Sequence, residues 1–169
     1  LSAVALPRPP VAHNPFLRME ELPLLLRGLC GYRGHQQTRL GLRLLLLTGV
    51  RTGELRSATP DQFDLERGLW IVPATLVKQL QLTMRKQGMR SQDLPPYVVP
   101  LSTHALEVAR QLLSVVRPGQ RYLLTKRGDL KRPISENTLN HALKSLGFEG
   151  QLTSHGIRAT IATALNEYG

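Results

Sequence analysis

Two motifs that lie far apart in the sequence contain residue types that bind phosphate groups and move protons. The first reads TGVRTGEL and contains Arg51 and Glu54, and the second reads TSHGIR and contains His155 and Arg158. A guanidinium offers hydrogen-bond donors in a planar fork that matches phosphate oxygens. An imidazole can exchange a proton near neutral pH. The two motifs therefore predict a site that binds a phosphate and transfers a proton.

The second motif begins a predicted helix. Thr153 or Ser154 is a suitable N-cap, and an apolar stripe follows from Ile157. His155 and Arg158 stand at i and i+3, so they share a face of that helix, away from the stripe. A helix N-terminus has free N–H groups and the positive end of a dipole, which together favour an anion. A surface pair with only a structural role is the alternative interpretation.

The first motif lies at a junction between two predicted helices. Arg51 follows a leucine-rich segment and stands between Gly49 and Gly53. A charge beside such a hydrophobic helix needs a partner, and Glu54 has the right spacing. One interpretation is a closed, structural Arg51–Glu54 pair. The other is a guanidinium that Glu54 holds rigid and presents to a phosphate.

Helices predominate among the elements that must position these motifs, because apolar residues recur at helical spacing over most of the chain. Predicted helices cover residues 17–30, 38–47, 102–116 and 135–146, with a short helix from residue 52 to Pro60 and a last helix that starts after residue 153 or 154. Ser102 and Ser135 are the predicted N-caps of the helices at 102–116 and 135–146. Predicted strands cover residues 69–72 and 97–101, with a further short strand at 122–125. We therefore predict an α+β fold that is mostly α, with a small antiparallel β-sheet.

Several finer expectations follow from the same patterns. The polar, basic segment from Lys78 to Pro96 predicts a long insertion at the tip of the sheet. Cys30, the single cysteine, lies in an apolar helical pattern and is predicted to be buried. Tyr97 lies in an apolar strand and is predicted to belong to the core. The predicted inner faces of the helices at 102–116 and after 154 are Leu106, Ala109, Leu113 and Val116, and Ile157, Ile161, Ala164 and Leu165.

Composition limits the functions that the chain can have. Its 169 residues include 22 lysines and arginines against 12 aspartates and glutamates, which gives a formal net charge of +10. Such a surplus favours a polyanionic partner, and an aromatic content of only 5% favours duplex DNA over single strands. A single cysteine excludes an internal disulfide and a zinc cluster. The apolar runs are too short for a membrane span, and the sequence has no P-loop.

The motifs, in this order, resemble those of tyrosine recombinases, most closely the integrases of prophages and genomic islands. That family has an arginine after a buried helix in a context like TGVRTGEL, then a small sheet that carries a lysine, then His-x-x-Arg at the start of a helix. This chain also has LWIVPA and VVPLS between its two motifs, PIS before the second motif and ALNE after it. The resemblance covers roughly residues 12–169.

The resemblance implies a role for each matching residue. Arg51 and Arg158 would bind the scissile phosphate of DNA and stabilise its transition-state charge. His155 would hydrogen-bond that phosphate and help to move a proton. Glu54 would match the acidic residue that supports the first arginine.

A sheet lysine would protonate the departing 5′ oxygen, and two lysines are candidates for that role. Lys78 matches the family's spacing after Trp70 and is the preferred assignment. Lys86, inside the insertion, is the alternative. Both lysines could instead be solvated charges that touch only the DNA backbone.

The nucleophilic tyrosine of the family is predicted to be absent from this chain. Tyr168 follows Arg158 by ten residues on one predicted helix, which is about 15 Å along its axis and too far for attack on a phosphate that Arg158 binds. Prolines concentrated in residues 1–15 indicate an interdomain linker, and residues 16–169 are expected to form a catalytic domain truncated before its nucleophile. We expect that this chain cannot cleave DNA by itself.

The implied function is site-specific DNA recombination, the integration or excision of a mobile element through a 3′-phosphotyrosyl intermediate. The resemblance implies double-stranded DNA as the partner, a homo-tetramer on DNA when full length, no metal or other cofactor, no membrane association, and a cytoplasmic, nucleoid-associated location in bacteria. Two alternatives stay open: a non-catalytic basic domain that binds duplex DNA, and an enzyme like the type IB topoisomerases. A metal-dependent nuclease is a more distant alternative.

Overall fold

Helices predominate over strands in the described part of the chain, and the strands are short. The computed structural model describes residues 15–90 and 93–168. In this part of the chain the helices are α1 (Leu22–Cys30), α2 (Gln36–Thr48), α3 (Thr52–Arg56), α4 (Lys78–Gln87), α5 (Thr103–Ser114), α6 (Glu136–Ser145) and α7 (Gly156–Tyr168). The strands are β1 (Phe63–Asp64), β2 (Leu69–Val72), β3 (Tyr97–Pro100), β4 (Thr125–Lys126) and β5 (Asp129–Pro133). The predicted fold class, mostly α with a small antiparallel sheet, is confirmed.

Helix α2 is the centre of the hydrophobic core. It contacts α3, α5, α6 and α7, so it is enclosed on most sides, as its leucine content predicts. It ends at Gly49, whose φ of 61° is a left-handed conformation that glycine adopts without strain. This turn directs the chain to Arg51. The buried leucines of α2 are Leu40, Leu42, Leu44, Leu45 and Leu46.

Strands β1, β2 and β3 form an antiparallel sheet in that order, with Trp70 opposite Val99 and Val72 opposite Tyr97. Trp70 is fully buried, and its indole N–H donates to Gln62 Oε1 at 3.1 Å. That bond satisfies the one polar group that burial of the ring would otherwise leave unpaired. The prediction of strands at 69–72 and 97–101 is confirmed to within one residue. Strand β4 pairs with β5 as a separate hairpin.

The segment between β2 and β3 contains a helix that the sequence analysis described only as a polar insertion. Helix α4 covers Lys78–Gln87 and ends at Gly88, whose φ is 63°. Its residues are mostly strong helix formers, which explains why it forms although none of them is fully buried. Leu80 packs against the core from this helix. The insertion is therefore ordered along most of its length.

The cap residues of α5 and α6 are as predicted. Ser102 accepts a hydrogen bond from the amide of Ala105, and Ser135 accepts one from the amide of Thr138. Of the four residues predicted for the inner face of α5, only Ala109 is fully buried. The buried residues of α5 are Ala105, Val108, Ala109 and Leu112, whereas Leu113 and Val116 are only partly buried against the core. Leucines and valines occur on both sides of this stripe, so periodicity alone did not distinguish the two faces.

Three further predictions about local structure are wrong. Cys30 is exposed, because it is the last residue of α1 and lies about 100° around the helix from the buried Leu29. Leu165, at the end of the predicted stripe of α7, is 69% exposed. Of the strand predicted at 122–125, only residue 125 is in β4.

In the described residues, no helix has both the length and the apolar character needed to cross a bilayer.

Candidate phosphate-binding site

Arg51 is held in place by Glu54. Arg51 is the N-cap residue of α3, and its backbone N–H donates to Glu54 Oε2 at 2.8 Å. Its Nη1 lies 3.2 Å from Glu54 Oε1, in an ion pair whose carboxylate is buried and whose arginine side chain is 28% exposed. A guanidinium has five N–H donors, so most of them stay available to a ligand. The geometry therefore combines both sequence interpretations: the pair is closed, and the arginine still faces outward.

The second motif is capped by Thr153. Thr153 Oγ1 accepts a hydrogen bond from the amide of Gly156 at 3.0 Å, and α7 begins at Gly156. His155 consequently stands just before the helix rather than in its first turn. The preceding amide, that of Ser154, donates to Asn140 Oδ1 on α6 at 2.9 Å. This bond fixes the loop that presents His155.

The two motifs meet through Arg158. Its Nη1 donates to the carbonyl oxygen of Gly49 at 2.6 Å, across 109 positions of sequence. Gly49 directly follows α2, in the turn that leads to Arg51. Arg51 and Arg158 consequently line one cavity of about 280 Å³. The other lining residues are Val77, Gln79, Leu80, Pro95, Pro96 and Tyr97.

His155 is exposed and is not among the residues that line this cavity. Its Nε2 lies 3.1 Å from Glu136 Oε1, at the start of α6. The structure therefore brings Arg51, Glu54 and Arg158 together, and places His155 beside Arg158 in sequence but in contact with α6. Glu136 was not among the predicted site residues. No local pattern connects Glu136 with His155, because the contact depends on how α6 and α7 pack.

The first turn of α7 also packs against the beginning of the described chain. A Cβ atom on Gly156 would overlap the carbonyl oxygen of Pro15, so only glycine fits there. The amide of Leu17 donates to the buried Thr160 Oγ1 at 3.0 Å. Residues 15–17 thus fix the helix that carries Arg158. The linker predicted at 1–15 otherwise lies outside the described residues.

Comparison with known proteins identifies the domain. Residues 15–169 match the model of the phage integrase family, which is most of the chain. The chain belongs to the phage integrase family. It is 35% identical over 160 residues to an integrase of Enterobacteria phage P4, and 31% identical over 161 residues to the putative protein IntB of Escherichia coli K12. These alignments cover 93% of this chain in both cases, but only 36% and 39% of the relatives.

Solved structures share the fold of this phage integrase domain. The Tn1549 transposon integrase in complex with a circular intermediate DNA superposes with a TM-score of 0.66 at 15% identity, over 95% of this chain and 55% of that one. The XerA recombinase superposes with a TM-score of 0.65 at 17% identity, over 94% of this chain and 53% of that one. At these identities the likeness concerns the fold alone.

The two candidate lysines of this phage integrase domain lie on α4, not on a strand. Lys78 is the first residue of α4 and is exposed, and Lys86 is in its last turn, about 12 Å further along the axis. Neither lysine lines the cavity, although Val77 and Gln79, on either side of Lys78, do. The choice of Lys78 over Lys86 as the proton donor stays a prediction.

Tyr97 corrects a prediction and adds a residue to the site. It was expected in the core, but its side chain is 40% exposed and lines the cavity with both arginines. It is the first residue of β3, opposite Val72, the last residue of β2, and so it lies where the α4 insertion joins the sheet. In the sequence, an aromatic residue at the end of a predicted strand indicates only weakly that it lines a cavity. The side chain of Tyr168 lies outside the described part of the structure, so its distance from the site stays a prediction.

Proposed function

We propose that this phage integrase domain catalyses site-specific DNA recombination by cleaving and rejoining DNA strands. The observation that supports the proposal most is the placement of Arg51 and Arg158 on one cavity, with Arg158 bonded to the turn before Arg51. Two guanidiniums that converge on a small cavity match the oxygens of a phosphodiester and its transition state. Duplex DNA fits the net charge of +10.

In the proposed reaction, a tyrosine oxygen attacks the scissile phosphorus and the bond to the 5′ oxygen breaks. The products are a 3′-phosphotyrosyl link and a free 5′-hydroxyl, which takes its proton from a lysine. A 5′-hydroxyl from a second strand then attacks the link, and the tyrosine leaves. The covalent phosphotyrosyl intermediate retains the energy of the broken phosphodiester bond, so the reaction consumes no ATP and needs no metal. His155 would help to move the proton at the tyrosine oxygen.

The assembly and location follow from the same proposal. We propose that the attacking tyrosine lies outside these 169 residues, that residues up to 15 link the domain to another one, and that the complete protein acts as a homo-tetramer on DNA. The domain spans 36% of the phage P4 integrase, which leaves room in such a protein for further parts. Its DNA substrate places it at the bacterial nucleoid.

A covalent-adduct experiment tests the proposed reaction. The complete protein and the 169-residue chain are each incubated with end-labelled duplex fragments of the genome that encodes them, and the products are separated under denaturing conditions. We expect the complete protein to retain label in a phosphotyrosyl adduct, also in EDTA, and the 169-residue chain to form none. The fragments recovered in the adduct should share one sequence.

Three other results would contradict parts of the proposal. Adducts at unrelated sequences, together with relaxation of any supercoiled plasmid, would favour a type IB topoisomerase. Loss of cleavage in EDTA would favour a metal-dependent nuclease. An adduct on the 169-residue chain that Tyr97→Phe abolishes would make Tyr97 the nucleophile.

A sulfur substitution separates the two candidate lysines. We propose that Lys78 protonates the leaving 5′ oxygen, so Lys78→Ala should slow cleavage by the complete protein about 10²–10⁴-fold. A substrate with sulfur in place of that oxygen should restore the rate, because a thiolate leaves without a proton. Lys86→Ala is the matched control on the same helix and should change neither rate. If Lys86→Ala shows this pattern instead, the roles exchange, and if sulfur rescues neither variant, neither lysine is the acid.

A further inference from the structure

Helix α6 contacts the loop before α7 at two neighbouring residues. Oδ1 of Asn140 accepts a hydrogen bond from the amide of Ser154 at 2.9 Å. Oε1 of Glu136 lies 3.1 Å from Nε2 of His155. Glu136 and Asn140 stand at i and i+4 on α6, so they share one face of the helix, about 6 Å apart along its axis. This face therefore contacts both the backbone and the imidazole ring of the second motif.

Helix α6 is a rigid support for these contacts. Its Leu139, Ala142 and Leu143 are buried, and the helix packs against α2 and α3. Ser135 caps its first turn, which contains Glu136. A carboxylate in the first turn is also favoured by the helix dipole. The carboxylate of Glu136 is thus attached to a packed and capped helix rather than to a loop.

Glu136 is the carboxylate that is available to His155. Glu54, the acidic residue of the first motif, uses both of its oxygens on Arg51, one for the backbone amide and one for the guanidinium. Within residues 15–90 and 93–168, His155 forms an ion pair only with Glu136. Their side chains are 48% and 38% exposed, and exposed ion pairs contribute little to stability. The contact is therefore better explained by its effect on the ring of His155 than by a contribution to folding.

The contact determines which nitrogen of His155 can accept a proton. A nitrogen lone pair and a carboxylate oxygen at 3.1 Å would repel each other, so Nε2 of the neutral ring carries its hydrogen toward Glu136. Nδ1 then has the free lone pair. A ring that is already fixed also avoids the cost of orienting a base when the substrate arrives.

We propose that Glu136 is a positioning residue for DNA strand cleavage, which fixes the ring of His155 and leaves Nδ1 free. The proposal rests on the proposed function, in which His155 moves the proton at the tyrosine oxygen. Nδ1 takes that proton as the phenolic oxygen bonds to phosphorus, and returns it when the tyrosine leaves. His155 is exposed and lies three residues before Arg158, so a tyrosine from outside these residues can reach it from solvent. Glu136 acts only through the ring.

The test compares Glu136→Ala with Glu149→Ala in the complete protein, with a saturating amount of the duplex recovered from the covalent adduct. Glu149 is the matched control, because it forms an exposed ion pair with Lys144 of α6 and its loss changes the net charge equally. Glu136→Ala should slow single-turnover cleavage about tenfold or more, a part of the roughly 10²–10⁴-fold that a general base contributes. Glu149→Ala should cleave at the wild-type rate. Both variants should bind the duplex equally well and unfold near the wild-type temperature.

Two further variants show whether Glu136 acts through His155. Glu136→Gln keeps an oxygen acceptor and should recover much of the cleavage rate. In a His155→Ala background, Glu136→Ala should not change the rate further, because there is no ring left to position. An undiminished loss in that background would overturn the proposal, and so would an unchanged rate in the single variant. Faster cleavage by Glu136→Ala would also overturn it, and would show that the contact holds His155 away from the phosphate.

NMR of the 169-residue chain separates this proposal from the proposed function. The ¹⁵N signals of the wild-type His155 ring should show the hydrogen on Nε2, and the ring protons should show contacts with α6 that Glu136→Ala loses. If the wild-type ring shows no such contacts, the positioning role fails, whatever the complete protein does. If it shows them while the complete protein forms no phosphotyrosyl adduct, the positioning of the ring stands and the recombination proposal fails.

Discussion

Arg51→Ala in the complete protein is expected to slow strand cleavage by about 10³-fold or more at saturating DNA. Removal of one preorganised donor to a transition-state oxyanion costs 10²–10³ in rate, and loss of a catalytic arginine costs 10³–10⁵ in phosphoryl transfer. The side chain is already fixed by Glu54 at 3.2 Å, so it needs little reorganisation when the phosphate arrives. The loss should therefore be far larger in the cleavage rate than in duplex affinity, which should fall by about one phosphate contact.

The measurement is a single-turnover cleavage rate beside a dissociation constant for the same duplex. Arg110→Ala is the matched control, because Arg110 is exposed on α5 and does not line the cavity of Arg51 and Arg158. It should leave the rate unchanged. Arg51→Lys keeps the charge and loses the fork, so it should recover only a small part of the rate. If Arg51→Ala weakens binding severalfold and leaves the cleavage rate at saturation intact, Arg51 is a DNA contact and the domain is better described as a binding module.

Gly156→Ala is expected to lower the free energy of unfolding by about 1–3 kcal/mol, the usual cost of inserting a methyl group where there is no space. The added Cβ would overlap the carbonyl oxygen of Pro15, which is backbone and cannot rotate away. Relief requires either residues 15–17 or the first turn of α7 to move, and the second movement displaces Arg158. Thermal unfolding should show a decrease of about 2–4 °C per kcal/mol for a domain of this size.

Two controls separate this clash from a general effect of alanine. Gly53→Ala adds the same methyl group where nothing lies within 4 Å, so it should leave stability unchanged or raise it by up to about 1 kcal/mol. A chain that begins at Phe16 has no Pro15 carbonyl, and in that background Gly156→Ala should cost much less, which a double-mutant cycle would detect. Equal costs in both backgrounds would show that Pro15 is not the cause.

The elements that could be predicted are those for which one local physical signal dominates. The leucine-rich pattern of α2, the serine caps of α5 and α6 and the strand that contains Trp70 were all predicted, because local sequence determines each of them. The pairing of Arg51 with Glu54 also follows from their spacing on one short helix. These local elements were enough to indicate the class of fold.

What could not be predicted depends on contacts between elements. The bond from Arg158 to Gly49 joins residues 109 positions apart, and the contact of Glu136 with His155 depends on how two helices pack. Tyr97 is in an apolar strand, yet it lines the cavity, since its neighbour strand ends beside it. Helix α4 was missed because its polar residues gave no clear apolar stripe. Helix α4 forms because most of its residues have a high helix propensity.

The bond between Arg158 and Gly49 has a consequence for how the domain folds. Contacts of such long sequence separation form late, because closing a long loop costs chain entropy before the contact is gained. The Leu17–Thr160 bond spans 143 positions and belongs to the same class. Helices and their circular dichroism should therefore develop before the phosphate site exists. During refolding, phosphate binding would report completion of the native state, and partial fraying of α7 would abolish it while most of the helical signal persists.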